Sequence, residues 1–529
     1  MTKVSANLLQ GTIVGRLWLH EHDNTNIIPH SSINRFSKVQ SVSRPSLDDY
    51  FGDWKQREAL AQEMIPVVGR LYSERNVVIF IYGRALHNRS VANIMKSHRF
   101  VRQVGRNEMS EFESHPVLMA LAKLDLAHVH IDLGKLTVKF MEQQNDLGDA
   151  ALEVEEFVTR ELAYMIGVKT KPIEKSQDIV LFGFGRIGRL IARLLIERTS
   201  TGEVIRLRAI VVRPGKEGDL QKRASLFTSD SVHGAFQGTV RIDEENKCLI
   251  ANGNVIQVIY ANSPEEIDYT KYGINDALII DNTGKWRDEA GLSKHLLAKG
   301  VSKVALTAPG KGDLKNIVFG INDNQIKPED KIITAASCTT NAIAPVLKMV
   351  NDKFGIVHGH VETVHAYTND QNLIDNYHEG NRRGRSAALN MVLTETGAAQ
   401  AVVKAIPELM GKLTGNAVRV PIPNVSMAIL SLHLETATSK IELNEFLRQI
   451  ALHSNLQNQI AYTEEADAVS SDFVGSREAA IVDSTATIVQ GNNCVLYLWY
   501  DNEFGYCNQV VRMVYKMIGV NYRYYPMGE

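Results

Sequence analysis

Cysteine is scarce: the chain has four in 529 residues, at positions 248, 338, 494 and 507. Their spacings lack the paired form of a zinc site or a disulfide framework, which leaves metal binding without support and makes a reducing, cytoplasmic compartment the simplest expectation. Net charge is also nearly absent. Fifty-eight Lys and Arg face 60 Asp and Glu, for a formal charge of −2, which excludes the basic surplus expected of a nucleic-acid or membrane-surface binder. No run of apolar residues approaches the ~18 of a membrane-spanning helix. The first residues lack a basic segment followed by an apolar one, so no secretory signal is expected. What remains is an ordinary globular composition, 44% hydrophobic and 22% charged, over a length that implies about three domains.

The pattern along the chain changes three times. Residues 1–45 mix Asn, Ser and His without a sustained period and read as a poorly ordered tail, with a short strand over 8–17 as an option. Over 46–172 the apolar spacing predicts a mostly helical module, with helices over 59–71, 91–101, 117–126 and 150–166 and a β-like run at 77–81. No motif in it carries chemistry. It reads either as a packing or oligomerisation domain or as a regulatory, partner-binding one; His87, Arg89, His98 and Arg99 would suit an anion, but scattered charges of this kind are usually a solvated face. A polar stretch over 169–176 containing Pro172 predicts a linker. From residue 177 strands and helices alternate, the pattern of a doubly wound α/β sheet.

Two motifs carry the chemistry. In VLFGFGRIGR (180–189), Gly183, Gly185 and Gly188 follow a strand and open a helix that starts with Arg186 and Ile187. In that context the first glycine permits the tight turn, the second lets backbone approach a pyrophosphate, and the third allows close helix–strand packing. An acidic residue for the ribose hydroxyls is expected about 20 residues on; Val212 or Arg213 stands there, and Arg213 with Lys216 would suit a 2′-phosphate, so both NAD and NADP are expected cofactors. The second motif is SCTTN (337–341), with HAYTNDQ (365–371) downstream. Alone, Cys338 would read as a buried structural thiol and His365 as a satisfied strand histidine. A thiol opening a helix meets unpaired N–H groups that favour thiolate, and an imidazole nearby would favour it further and carry a proton. Thiol, base and nicotinamide site together point to oxidation of an aldehyde through a thioester.

From about residue 178 onward the chain resembles the phosphorylating glyceraldehyde-3-phosphate dehydrogenase family. The resemblance rests on GFGRIGR, SCTTN and HAYTNDQ together with DSVHG (230–234), TGAAQAV (396–402), GKLTGNAVRVPIPNVS (411–426) and WYDNEFGY (499–506), in the family's order. It implies an α/β fold: a Rossmann-type nucleotide domain over 177–337, rejoined by a C-terminal helix over 502–520, and an α+β catalytic domain over 338–501. It implies that Cys338 is the nucleophile and His365 the base. Asn502, Tyr506, Thr283 and Thr307 would line the cofactor. Thr368, Asp370 and Arg419 would hold the substrate phosphate, and Ser337, Thr339, Arg383, Thr396 and Gly397 the attacking inorganic phosphate. The implied substrate is D-glyceraldehyde 3-phosphate, with erythrose 4-phosphate or a regulatory protein on the same scaffold as alternatives, and the implied assembly is a homo-oligomer, a tetramer in the family. Ala342 stands where many relatives carry a second cysteine.

Overall fold

The computed structural model describes residues 49–147, 152–202, 204–394 and 397–527. The expected tail over 1–45, with its optional strand, lies outside the described residues.

The N-terminal module is helical, as its periodicity predicts, but it also holds a sheet. Helix Tyr50–Arg75 starts at Asp49, whose carboxylate accepts from the Gly52 N–H, and stops at Asn76 in the left-handed region (φ 52°). Helix Glu111–Ala122 begins with a reciprocal capping box between Ser110 and Glu113, six residues ahead of the predicted start. Helices Val91–Val104, Leu133–Leu147 and Val154–Glu161 complete the set. Strand Val78–Ile81 lies between Arg84–Ala85 and Val129–Asp132, and the fourth strand, Arg523–Tyr525, arrives from the far end of the chain to pair parallel with Val129–Asp132. Val77, Ile79 and Ile81 are wholly buried under these helices.

The second sheet is the nucleotide-binding one. Its order runs Ile332–Thr334, Val301–Leu306, Ala277–Asp281, Gln177–Phe182, Ile205–Val212, Asn254–Tyr260, Cys248–Ala251, Val240–Asp243. The first six are parallel to their neighbours and the last two form an antiparallel edge. Helix Arg186–Glu197 is the first crossover, and helix Phe504–Met517 packs beside it. The third sheet, mixed and seven strands along its main path, centres on Ile356–Ala366, Ser426–Leu434 and Asn493–Tyr500. Helix Cys338–Phe354 covers it and buries Ile343, Val346, Leu347 and Val350 completely.

The module is docked against both other parts. Tyr72 donates its hydroxyl to the Glu197 carbonyl (2.5 Å), Ser200 donates back to the Tyr72 carbonyl (2.7 Å), and the buried Arg448 donates to the Val104 carbonyl (2.7 Å). One continuous cluster of buried apolar side chains runs from Met64 and Ile94 of the module to Val346 and Leu430 of the third sheet. Among the described residues no helix is long and apolar enough to cross a membrane, and no group of His, Cys, Asp and Glu is placed to hold a metal ion.

Candidate active site

Strand Ile332–Thr334 ends in a turn that takes Ala336 through φ 52° and delivers Cys338 as the first residue of its helix. The turn is pinned from three sides. Ser337 caps the helix by accepting from the Thr340 N–H (3.0 Å), Asn341 donates to the carbonyls of Ala335 and Ser337 (2.8 and 2.9 Å), and Tyr506 donates to the Ala336 carbonyl (3.0 Å). The Cys338 sulfur lies 3.5 Å from Nε2 of His365, the penultimate residue of strand Ile356–Ala366.

Sheet register supplies the third member. Strand Ile356–Ala366 pairs parallel with Leu413–Val420, placing His365 opposite Arg419 across 54 residues of sequence. Arg419 Nη1 reaches His365 Nδ1 at 2.6 Å and the Ala366 carbonyl at 3.1 Å. Nδ1 also lies 2.7 Å from the Ala366 carbonyl, so the ring proton sits on Nε2, facing the sulfur, when Nδ1 accepts from Arg419, and on Nδ1 when it donates to Ala366.

Burial pushes the Cys338 thiol above its ordinary range, with Arg419 as the largest opposing charge. Burial and then Arg419 hold His365 down at about 3. Desolvation thus opposes the thiolate that the helix terminus favours, and the sulfur is only partly exposed.

The anion-binding candidates fall into a different grouping from the one the motifs imply. Thr368 donates to one oxygen of Asp370 and Arg383 to the other (2.7 Å), so Arg383 meets the Thr368–Asp370 pair instead of Ser337. Thr339 is buried with its hydroxyl 3.0 Å from that of Tyr500, and the Ser337 hydroxyl is occupied as a cap. Gly397 precedes the short helix Ala398–Ala405; Thr396 lies outside the described residues.

The nucleotide fingerprint has the form a pyrophosphate requires. Gly183 sits at φ +95°, and a side chain at Gly188 would come within 2.4 Å of the Gly183 carbonyl oxygen. A Cβ on Gly185, by contrast, would meet nothing within 4 Å: that space is the open side of the turn, where a phosphate can reach the helix N–H groups beginning at Arg186 and Ile187. The Thr283 and Thr307 loops are both tied to Asp281, at its carboxylate (2.7 Å) and its carbonyl (3.0 and 3.1 Å) respectively. That carboxylate is fully buried and held by His295 Nε2 at 3.0 Å. An Asp ending the apolar run ALIID was the available sequence signal for it. Asn502 is oriented by Ser426, which accepts from the Ala366 N–H (3.1 Å) and donates to Asn502 Oδ1 (2.8 Å), leaving the Asn502 amide nitrogen for a ligand carbonyl. Arg213 and Lys216 are exposed past the end of strand Ile205–Val212.

Comparison with known proteins fits this geometry. The NAD-binding domain of glyceraldehyde 3-phosphate dehydrogenase matches residues 177–289, and its C-terminal domain matches residues 337–502. A glyceraldehyde-3-phosphate dehydrogenase-like protein of Pseudomonas aeruginosa is 60% identical over 465 residues, 88% of this chain and all of that protein. The chain belongs to the glyceraldehyde-3-phosphate dehydrogenase family. Chloroplastic glyceraldehyde-3-phosphate dehydrogenase A of Zea mays is 38% identical over 70% of the chain and 89% of its own length. The Zymomonas mobilis enzyme is 38% identical over 63% and 96%. The Pseudomonas match is longer than the whole dehydrogenase part, so it runs into the N-terminal module; the Zymomonas match leaves much of the chain uncovered.

Membership makes the chain an NAD-dependent oxidoreductase with a Rossmann domain, and the remaining family motifs acquire a structural role here. The Arg186 guanidinium is committed to carboxylates. It is doubly paired with Glu503 and reaches both oxygens of Asp230 at 3.1 and 3.3 Å, leaving only its backbone N–H for a phosphate. His233 Nε2 stands 3.1 Å from the buried Asp501 and 3.3 Å from the Asn424 amide. DSVHG, PNVS and WYDNEFGY thus meet as one polar network joining the nucleotide and catalytic parts of this glyceraldehyde-3-phosphate dehydrogenase family member.

Proposed function

We propose that the chain catalyses the phosphorylating oxidation of D-glyceraldehyde 3-phosphate to 1,3-bisphosphoglycerate. The observation that carries this reading is the Cys338–His365–Arg419 line, with the sulfur 3.5 Å from one imidazole nitrogen and a guanidinium 2.6 Å from the other. Cys338 attacks the aldehyde carbon, its proton passing by way of His365 to the carbonyl oxygen to give a thiohemiacetal, and His365 takes the hydroxyl proton as the hydride departs to leave a thioester. The substrate phosphate draws Arg419 away from Nδ1, which is then free to donate to the Ala366 carbonyl 2.7 Å away, exposing the Nε2 lone pair as base. Gly183, Gly185, Gly188, Thr283, Thr307, Asn502 and Tyr506 would hold the dinucleotide; bound there, its nicotinamide supplies the hydride acceptor. The resulting Cys338 thioester is attacked by inorganic phosphate, with Thr368, Asp370 and Arg383 lining the approach, and Cys338 leaves as thiolate. Arg213 and Lys216 make NADP an accepted cofactor beside NAD. The protein works as a homo-oligomer: Leu373, Ile374, Tyr377, Leu389 and Met391 stand largely exposed on one loop, the apolar face expected where a second copy packs.

The test is reduction of NAD and of NADP by the purified protein, with glyceraldehyde 3-phosphate and erythrose 4-phosphate supplied separately, each with and without inorganic phosphate. Phosphate-dependent turnover that is faster on the triose, and lost in Cys338→Ser with NAD binding intact, is expected. Faster turnover on the tetrose would replace the substrate, and turnover unchanged by Cys338→Ser would remove the mechanism.

A further inference from the structure

Three neighbouring parallel strands end together on the cofactor side of the nucleotide sheet. In register, Asp281 stands opposite Phe182 on one side and Leu306 on the other, so the Gly183 turn, the Thr283 loop and the Thr307 loop all leave the sheet at one level. Loops at the carboxyl ends of such strands are where an open α/β sheet binds its ligand. Asp281 and Asn282 tie all three together. Asn282 donates its backbone N–H to the Phe182 carbonyl (2.8 Å) and its amide to the Gly183 carbonyl (3.4 Å). Thr283 gives both of its donors, N–H and hydroxyl, to the Asp281 carboxylate at 2.7 Å each. Thr307 gives both of its donors to the Asp281 carbonyl (3.0 and 3.1 Å).

A hydroxyl has one proton to give, so neither threonine keeps a donor for a ligand. The Thr283 oxygen also accepts from the Lys285 N–H (3.2 Å), and its methyl faces the glycine turn, where a Cβ on Gly183 would come within 3.0 Å of it. The Asp281 carboxylate is wholly buried, and buried charge is kept only where donors compensate it. Two of its donors come from Thr283; the third is His295 Nε2 at 3.0 Å. His295 is wholly buried as well, on helix Glu289–Leu296. Phe182 and Trp286 hold its ring edge-on, with centroids 4.8 and 5.9 Å away. Its Nδ1 is enclosed with no hydrogen-bond partner among the described residues, so the ring proton belongs on Nε2, facing Asp281.

We propose that Asp281 and His295 are positioning residues for the dinucleotide: the pair fixes the Thr283 and Thr307 loops beside the glycine turn, and the two threonine hydroxyls bind Asp281 instead of the cofactor. The inference rests on the reading that both loops line the dinucleotide. The pair then sets cofactor affinity from behind the pocket wall, while the chemistry stays with Cys338 and His365. Thr283 and Thr307 contribute shape to that wall, held in place by one carboxylate and one carbonyl of the same residue.

Full-length wild-type protein, Thr283→Val, Asp281→Ala, their double variant, His295→Leu and His295→Gln are compared by calorimetric NAD titration, turnover of glyceraldehyde 3-phosphate and urea unfolding. Asp281→Ala is expected to weaken NAD binding about tenfold and to raise the NAD KM in step, with kcat at saturating NAD within about threefold of wild type. Thr283→Val should weaken NAD about fivefold alone and add nothing in Asp281→Ala, where the bond it removes is already gone. His295→Leu should cost about fivefold, and His295→Gln, which keeps an N–H donor, should recover most of it. An undiminished Thr283→Val effect in the Asp281→Ala background would mean that the hydroxyl binds the cofactor directly, and overturns the proposal. Wild-type NAD affinity in Asp281→Ala or His295→Leu overturns it too, whatever the unfolding midpoints, because the role is then structural only. If Asp281→Ala does not fold, the contrast between His295→Leu and His295→Gln carries the test. Hydrogen exchange with and without NAD separates the underlying reading. Absence of protection in both threonine loops removes their placement at the cofactor and the proposal with it; protection together with additive losses overturns the proposal alone.

Discussion

Replacing Gly185 and Gly188 separately by alanine distinguishes a glycine the fold needs from one the ligand needs. At Gly185 the backbone (φ −77°, ψ −161°) suits any residue, and the added methyl meets no protein atom within 4 Å. Alanine is a poorer helix N-cap than glycine, by up to about 1 kcal/mol. It also restricts the unfolded chain, which returns about 0.4–1 kcal/mol. The two nearly cancel, so stability should stay within about 1 kcal/mol of wild type. The methyl nevertheless occupies the side of the turn where a pyrophosphate approaches, and each charge-assisted hydrogen bond lost there costs about 1.5–3 kcal/mol. NAD affinity should therefore fall roughly 10- to 150-fold. At Gly188 the methyl lies 2.4 Å from the Gly183 carbonyl oxygen, which forces strand and helix apart at a cost of about 1–3 kcal/mol in stability as well as disturbing the cofactor turn. Urea unfolding midpoints and calorimetric NAD binding measure the two quantities independently. Wild-type NAD affinity in Gly185→Ala would falsify the placement of the pyrophosphate, and a wild-type unfolding midpoint in Gly188→Ala would refute the packing argument.

Arg419 lowers the proton affinity of both Cys338 and His365, so Arg419→Gln should slow alkylation of Cys338 by iodoacetamide severalfold at pH 8 and move the alkylation profile to higher pH; an unchanged profile would show that the guanidinium does not act on the sulfur. Burial raises Glu111 from 4.5 to about 7, so the folded protein keeps a proton the unfolded chain releases, and stability should decline by about 3 kcal/mol as pH rises from 4.5 to 7; Glu111→Gln should flatten that slope in urea titrations across the range. Arg448→Met should leave the Val104 carbonyl without its buried donor and cost about 1–3 kcal/mol, seen as faster amide exchange in helix Val91–Val104; exchange confined to residues near 448 would contradict a docking role. Arg213→Ala with Lys216→Ala should lower kcat/KM for NADP about five- to tenfold and leave NAD almost unaffected, consistent with about 1 kcal/mol for exposed charge pairs; an equal fall for both cofactors would count against a 2′-phosphate contact.

What could be read from the sequence was whatever is local. The glycine turn and the SCTTN helix start are contiguous, and their residue types alone fix backbone geometry. The neighbours of those motifs were not legible, because sheet register or tertiary packing sets them. Arg419 reaches His365 only through eight residues of parallel pairing, and the bond from Asp281 to His295 spans a loop and a helix. Arg383 meets Asp370 through a loop path that residue counting does not predict. The helix-end dipole that favours a Cys338 thiolate is visible in sequence, whereas the desolvation that opposes it depends on burial and is not. In the module, the helix Leu133–Leu147 and strand Val129–Asp132 escaped the periodicity reading, because the strand is four residues long and runs directly into the helix.

The strand Arg523–Tyr525 ties the last residues of the chain to a sheet whose other strands are translated first. On a ribosome making about 5–20 residues per second, the module emerges early and waits, with the open edge of Val129–Asp132 unpaired, until the segment carrying Arg523–Tyr525 has been made. Quality control follows directly. A chain broken anywhere in the dehydrogenase part lacks the strand that closes the module, so truncated products present a bare sheet edge and full-length ones do not.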